Sequence, residues 1–290
     1  MVVVSSCPVC HGQKFEPFTF GTPAPDRLHF AQVVCCTCGL IIAQPQAAAE
    51  DMARYYRDSY YQERWSDADR LFTENTDCYQ RHELPLLQAL WSQWAPAPGG
   101  TIAEVGCGYG SLLPLLQQQG YRASGCDPSP HAVQFCQRRG LDVVLGSAPG
   151  LRLGGPFDAL ITQHVIEHVA DPRAFVAELV GLTRAGGVVA IVTEDAWNAQ
   201  YVWERLRSRL LGRPPAFHTS SDHTYVFSAS HLATLLRDAG CEDVRTASFS
   251  YAPGPESLHW RLYKGTFRLV DRFIGHGDYL MAVGHVGVRS

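Results

Sequence analysis

Charge is scarce in this chain. Asp, Glu, Lys and Arg make up 18% of its 290 residues and hydrophobic residues 46%, which excludes a disordered polyelectrolyte. A basic excess is missing too, because 24 Lys and Arg face 28 Asp and Glu, a balance of −4. A nucleic-acid groove ordinarily carries that excess, so the balance argues against such a partner while leaving room for a local basic patch. No apolar run reaches the ~18 residues of a membrane span. The opening residues Met1 to Cys7 lack the basic flank and apolar length of a secretory signal. The expected compartment is therefore cytoplasmic, where the ten cysteines are expected as thiols or metal ligands rather than disulfides. Internal repeats and low-complexity tracts are absent, and the length suits one large domain or one with a small attachment.

Three regions differ in texture. Residues 1–45 are loop-rich and hold five of the ten cysteines. Residues 46–98 form a polar, aromatic stretch with Tyr55, Tyr56, Tyr60, Tyr61 and Trp65, expected as a helical lid or linker in which His82–Trp94 is the clearest helix. The breaker run Ala95-Pro96-Ala97-Pro98-Gly99-Gly100 marks a boundary. From 99 to 290, short apolar strands alternate with helices. Strands are expected at Thr101–Val105, Arg122–Cys126, Leu141–Leu145, Asp158–Thr162 and Val188–Thr193, then near Asp243–Ser250 and Asp278–Val286. Helices are expected at Ser111–Gln119, after Ser129-Pro130, from Asp171-Pro172 to about Arg184, and at Ser230–Ala239. Repeated strand–helix units imply an α/β fold with a mainly parallel sheet covered on both faces.

Cys7-Pro8-Val9-Cys10 and Cys35-Cys36-Thr37-Cys38 are two C-x₂-C pairs separated by 24 residues. Each knuckle lets two thiolates converge, and together they complete a tetrahedral Zn²⁺ site. Gly39 supplies a tight turn after the second knuckle, and Cys36 is the spare. A redox pair or buried thiols is the plainer alternative. Four thiolates leave no open coordination position, so such an ion is structural. Residues 1–45 hold only Lys14 and Arg27 as Lys or Arg, which favours packing or substrate gating over nucleic-acid binding. Cys78, Cys126, Cys136 and Cys241 read as inert fillers.

Glu104-Val105-Gly106-Cys107-Gly108-Tyr109-Gly110 sits at a strand-to-helix junction, where glycines permit a sharp bend and close approach of a ligand to the backbone. Its G-x-G-x-G spacing differs from the G-x-G-x-x-G of dinucleotide sites. Asp127 ends the next strand, where a carboxylate can accept the hydroxyls of a ribose. A nicotinamide-dependent enzyme or a nonbinding α/β domain is the alternative at this point.

Glu104–Gly110 with Asp127 resembles motif I and the following acidic position of class I S-adenosylmethionine (SAM)-dependent methyltransferases. Gly146-Ser147-Ala148, Phe157–Ile161, Val165-Ile166-Glu167-His168-Val169 and Ala185-Gly186-Gly187 match further segments of that family in order. The resemblance implies a seven-stranded Rossmann-like sheet. It also implies that Glu104 and the backbone of Gly106, Cys107, Gly108 and Gly110 hold the methionine end of SAM. Asp127, with Pro128 beside it, would hold the ribose, and Ser147, Ala148 and Gln163 would border the adenine or sulfonium. Cys35–Pro45 followed by the tyrosines resembles bacterial methyltransferases with an N-terminal zinc ribbon, which often modify sugars, polysaccharide precursors or secondary metabolites. The resemblance thus implies O-methylation of a small-molecule acceptor, such as a nucleotide-linked sugar or a secondary metabolite. Sugar C-methylation, RNA 2′-O-methylation and a noncatalytic binding module are the alternatives.

A hydroxyl acceptor needs a base or a metal to take its proton. His164, Glu167 and His168 follow the fourth strand and would share one face of a helical turn. His168 is the first candidate for base and His164 the second, with His218 and His223 approaching from beyond the fifth strand. His164, Glu167 and His168 with a later His resemble the metal site of small-RNA 2′-O-methyltransferases, which implies a second, divalent ion there; a loop-stabilising role for Glu167 and His168 is the alternative. The insert at 197–221 is a candidate lid, in which Trp197, Tyr201 and Trp203 could stack on a ring. Arg205, Arg207, Arg209 and Arg213 could meet a phosphate there or form a solvated face.

Overall fold

The computed structural model describes residues 2–18, 31–58, 60, 67–147, 155–211, 223–250, 266–267 and 269–287. Its centre is a seven-stranded sheet. The strands are β4 (Thr101–Val105), β5 (Arg122–Asp127), β6 (Val143–Leu145), β7 (Phe157–Gln163), β8 (Thr183–Glu194), β10 (Cys241–Phe249) and β11 (Tyr279–Val286). They lie in the order β10-β11-β8-β7-β4-β5-β6. The five from β4 to β8 run parallel, and β11 is antiparallel to both neighbours. Strand order reverses between β4 and β7, and in open α/β sheets the crevice beyond that switch point is where ligands bind.

Both faces of the sheet's centre are buried, which is why β4, β7, β8 and β11 carry near-continuous apolar runs. Ala103, Val105, Leu160, Val189, Ile191, Leu280 and Ala282 face one core cluster. Their chain neighbours Ile102, Ala159, Ile161, Val188, Ala190, Met281 and Val283 face the other. This two-residue alternation fixes the register of each strand against its layer. The second cluster takes Leu71, Leu84, Leu87, Trp91, Leu113, Leu116, Phe135 and Cys136 from the helices α2 (Ala68–Cys78), α3 (Leu84–Trp91), α4 (Leu113–Gln118) and α5 (Pro130–Arg138). The first is covered by α6 (Pro172–Leu182) and α8 (Ala229–Asp238) and takes in Cys7, Val9, Leu40 and Ile42. Two further helices are α1 (Ala49–Asp58) and α7 (Ala199–Leu211). Among the described residues no helix is long and apolar enough to cross a membrane.

The N-terminal region is more regular than its turn-rich sequence implies. Strands β1 (Phe15–Pro17), β2 (Ala31–Cys35) and β3 (Ile41–Gln44) pair antiparallel, and β9 (Tyr225–Val226) adds a fourth strand from the distant half of the chain. Arg173 donates to the carbonyls of Pro8 and Val9, and its guanidinium also meets Asp238 at 2.8 Å. The His231 ring meets the Cys38 carbonyl at 2.9 Å. The cysteine knuckles are therefore anchored on α6 and α8.

Two boundaries differ from expectation for identifiable reasons. The helix expected to reach Arg184 stops at Leu182, where Thr183 turns extended and begins β8. β-branched Thr183 favours the strand, and Asp158 on β7 holds Arg184 at 2.5 Å. The helix expected from His82 opens instead as a π turn, Tyr79–Glu83, before α3. Pro85 has no N–H and cannot continue an undisturbed ladder, and the Leu84 N–H bonds the Tyr79 carbonyl five residues back. Ser129 and Asp171 cap their helices as read, each accepting from backbone N–H groups.

Candidate active site and cysteine centre

The turn after β4 is held by its neighbours. The N–H groups of Gly106 and Cys107 donate to the Cys126 carbonyl at 2.9 and 3.0 Å, and Gly108 N–H donates to Asp127 Oδ2 at 2.9 Å. Ser129 N–H donates to Asp127 Oδ1 at 2.9 Å, so this carboxylate lies fixed at the end of β5. Gly106 has φ +73°, and a Cβ there would lie 2.3 Å from Val165 Cγ2. The bend thus needs glycine twice over, for its left-handed backbone and for its contact with the segment after β7.

Beyond this bend opens a cavity of about 600 Å³, within the usual range for a small-molecule site. Glu104, Gly106, Cys107, Gly108, Asp127, Pro128, Ser147, Gln163, His164 and His168 all border it. Gly110 does not; its φ of +72° and its packing against Leu141 and Cys136 shape the bend from behind. Ala148 lies outside the described residues. Met52, Tyr56, Tyr60, Leu71, Val169 and Phe175 give the cavity an apolar, aromatic wall. Tyr55, Tyr56 and Tyr60 form one ring cluster, with centroids 4.9–5.8 Å apart. Tyr61, Trp65, Arg213, His218 and the side chains of Tyr201, Arg205 and Arg209 lie outside the described residues. Trp197 and Trp203 are about half exposed and do not border the cavity.

Glu104 is 2% exposed. Its Oε1 accepts from Gln163 Nε2 at 3.1 Å, and its Oε2 has no partner among the described residues. Burial pushes its pKa well above the ordinary carboxylate range, against the Gln163 hydrogen bond. A buried acid with an orphaned oxygen beside a cavity suits a cationic group from outside. The ammonium of SAM is such a group, Asp127 is placed for a diol, and the glycine bend leaves the backbone open to close contact. The residues present therefore fit SAM.

At the other side of the bend, Glu167 is buried and organises three histidines. Its Oε2 accepts from Thr193 Oγ1 at 2.8 Å, and His164 Nδ1 lies 3.4 Å from Oε1. The His168 and His223 rings meet edge to face at 4.7 Å, and His223 Nδ1 lies 3.3 Å from Glu194 Oε2. Burial would raise the Glu167 pKa, but the His164 hydrogen bond and the charges of His168, His164 and His223 outweigh it and hold the carboxyl at about 2. Burial lowers His164, yet its hydrogen bond and charge pairing with Glu167, helped by Glu83 and Glu194, leave it raised. His164 also has φ +54°, an uncommon backbone for a residue with a side chain. Glu167, His168 and His223 offer ligand atoms all within 4.8 Å of one another. His223 does not border the cavity; it touches His168 from behind.

The four knuckle cysteines also converge within 4.8 Å. Cys7 and Cys38 sulfurs are 3.6 Å apart and those of Cys10 and Cys35 3.5 Å. A tetrahedral ion with Zn–S bonds of about 2.3 Å has an edge of roughly 3.8 Å, so this all-thiol donor set fits Zn²⁺. Gly12 N–H points at Cys10 Sγ from 3.4 Å. Cys36 is exposed and outside the cluster, as its spare position implies.

Sequence reasoning did not single out Glu83, Tyr79, Glu194 or Tyr279. Glu83 follows the polar run Gln80-Arg81-His82 and so reads as one more exposed polar residue; only the structure shows that it is buried.

Comparison with known proteins agrees with this geometry. A family model described as a methyltransferase domain matches residues 78–246, more than half of the chain. The ubiquinone biosynthesis O-methyltransferase of Thiobacillus denitrificans is 27% identical over 197 residues, which are 64% of this chain and 84% of that one. A SAM-dependent methyltransferase from Thermotoga maritima superposes with a TM-score of 0.52 at 18% identity, over 78% of this chain and 97% of that one. A geranyl diphosphate methyltransferase solved with sinefungin has a TM-score of 0.52 at 18% identity, over 82% and 98%. With the strand order, the glycine bend and the acid at the end of β5 already in place, the match settles the family: the chain belongs to the class I SAM-dependent methyltransferases.

Proposed function

We propose that this methyltransferase O-methylates a ring-bearing small molecule, with SAM seated between Glu104, the Gly106–Gly110 bend and Asp127. Bound there, the cofactor supplies an activated methyl group on a sulfonium sulfur. Glu104 receives its ammonium, Asp127 its ribose diol, and Pro128, Ser147 and Gln163 border the rest. The observation that carries the oxygen assignment is the Glu167-centred histidine group at the cavity wall, a ready proton acceptor. The O-methyltransferase names of the sequence relatives support it.

His168 takes the acceptor's hydroxyl proton as the oxygen–methyl bond forms and the methyl–sulfur bond breaks. Glu167, ionised at any working pH, stabilises the resulting imidazolium, and His223 packs behind the ring. His164 is held on Glu167 and shares the charge. Tyr56 and Tyr60 offer ring faces on which a sugar or a phenolic secondary metabolite can stack, and the apolar wall excludes water from the reacting atoms. Product mass and position mapping on a panel of phenols and sugars tests the acceptor class; transfer to carbon or nitrogen alone would overturn the oxygen assignment. His168→Gln is expected to lose at least about 100-fold in kcat and the acidic limb of the pH profile, and full turnover across pH would remove His168 as base.

The proximity of Glu167, His168 and His223 favours a second reading, in which they hold a divalent ion that acidifies the acceptor hydroxyl. Turnover abolished by chelation and restored by one divalent metal would decide for it. In either reading Cys7, Cys10, Cys35 and Cys38 hold a structural Zn²⁺ that fixes the ribbon against α6 and α8.

A further inference from the structure

Beside the large cavity lies a small, apolar-lined space of about 10 Å³. Glu83 and Gln163 both border it through their apolar atoms, and Leu87, Leu112, Ile161 and Met281 are among its other walls. Glu83 is 2% exposed, and among the described residues neither of its carboxyl oxygens has a hydrogen-bond partner. Gln163 Oε1 has none among them either, although Gln163 Nε2 donates to Glu104 Oε1. Three orphaned polar groups thus stand in sequence: Glu83, the oxygen of Gln163, and Oε2 of Glu104. Leaving a buried carboxyl unpaired is costly, and one proton on Glu83 satisfies two of the three at once. The π turn that ends at Glu83 is of a kind found disproportionately at functional sites.

Charge selects which acid keeps the proton. Burial drives the Glu83 pKa up to about 8, partly offset by His164, and Glu83 in turn disfavours the charge on Glu104. Tyr79, Cys78 and Tyr279 surround Glu83 and supply no cation. A single ammonium entering at Glu104 compensates one carboxylate, and Glu104 is the one that borders the cavity.

We propose that Glu83 is a positioning residue for the cofactor: as the neutral acid it donates to Gln163 Oε1 and so locks the amide with Nε2 on Glu104 Oε1, leaving Glu104 Oε2 to receive the ammonium. This rests on the seating of the methionine end at Glu104 proposed above. Calorimetric titration with S-adenosylhomocysteine (SAH), paired with thermal melts, separates the two ideas. Glu83→Met is expected to bind SAH about tenfold more weakly, the worth of one hydrogen bond to a charged network. Its melting temperature should hold or rise, because an unpaired buried acid is gone. Glu83→Gln, whose amide can donate to Gln163, is expected to restore affinity to within about twofold. Gln163→Leu should weaken SAH binding, and adding Glu83→Met should cost nothing more. A Glu83→Met protein that binds as tightly as the wild type, or an equal loss in Glu83→Gln, overturns the assignment. Infrared difference spectra (wild type minus Glu83→Gln, both with SAH) need no Glu83→Met protein: a protonated-carboxyl band is expected, and a carboxylate band overturns the assignment. Failure of the wild type itself to bind SAH would instead sink the cofactor seating.

Discussion

Replacing Gly106 by alanine perturbs the bend at its most constrained point. The added methyl meets a backbone at φ +73° and would lie 2.3 Å from Val165 Cγ2. The left-handed conformation costs a non-glycine residue about 1 kcal/mol. Forcing a methyl into a packed contact costs a further ~1–3 kcal/mol. The sum, about 2–4 kcal/mol, can be divided experimentally. Gly120 has φ +86° with nothing among the described residues within 4 Å of its Cβ position, so Gly120→Ala carries the strain without the contact and should cost about 1 kcal/mol. Urea denaturation of both variants, with Val165→Ala and Gly106→Ala/Val165→Ala completing a double-mutant cycle, isolates the contact. Relief of the clash should bring Gly106→Ala back toward Gly120→Ala, whereas SAH affinity should fall only in the Gly106 variants. Gly106→Ala no more destabilising than Gly120→Ala, with unchanged SAH affinity, would refute the packing of the bend against the β7 loop.

Glu167 predicts an acid-sensitive stability. Its folded pKa of about 2 lies below the ordinary carboxylate value, so its contribution is present above that ordinary value and is lost as pH falls from about 4.5 toward 2. Urea midpoints measured from pH 6 to 3 should therefore fall more steeply in the wild type than in Glu167→Gln. For the cysteine centre, elemental analysis should find one zinc per chain; Cys10→Ser should lose it and melt well below the wild type, because the knuckles share the core with α6 and α8. A Cys10→Ser protein with unchanged melting and no metal in either form would remove the zinc.

The legible parts of the sequence were those where one local rule decides. The β4, β7 and β8 runs are apolar because both faces are covered, and Ser129-Pro130 and Asp171-Pro172 announce helix starts through capping alone. The glycine bend and Asp127 are local too, since a sharp turn and a strand end each need particular residues. Longer-range features stayed hidden. The pairing of β3 with β9 joins Ile41 to Val226 across the chain, and no local pattern encodes it. The π turn before Pro85 and the burial of Glu83 depend on the sheet beneath them. The grouping of His223 with Glu167 was visible only as a pair of histidine-bearing segments, whose contact requires the β9 crossover.

The decisive observation is a crystal structure with SAH bound. Its ribose diol should lie within hydrogen-bonding distance of Asp127 and its ammonium on Glu104 Oε2, with the sulfur facing His168. SAH bound elsewhere, or a crevice beyond β4 left empty at saturating SAH, would contradict the seating from which the chemistry follows.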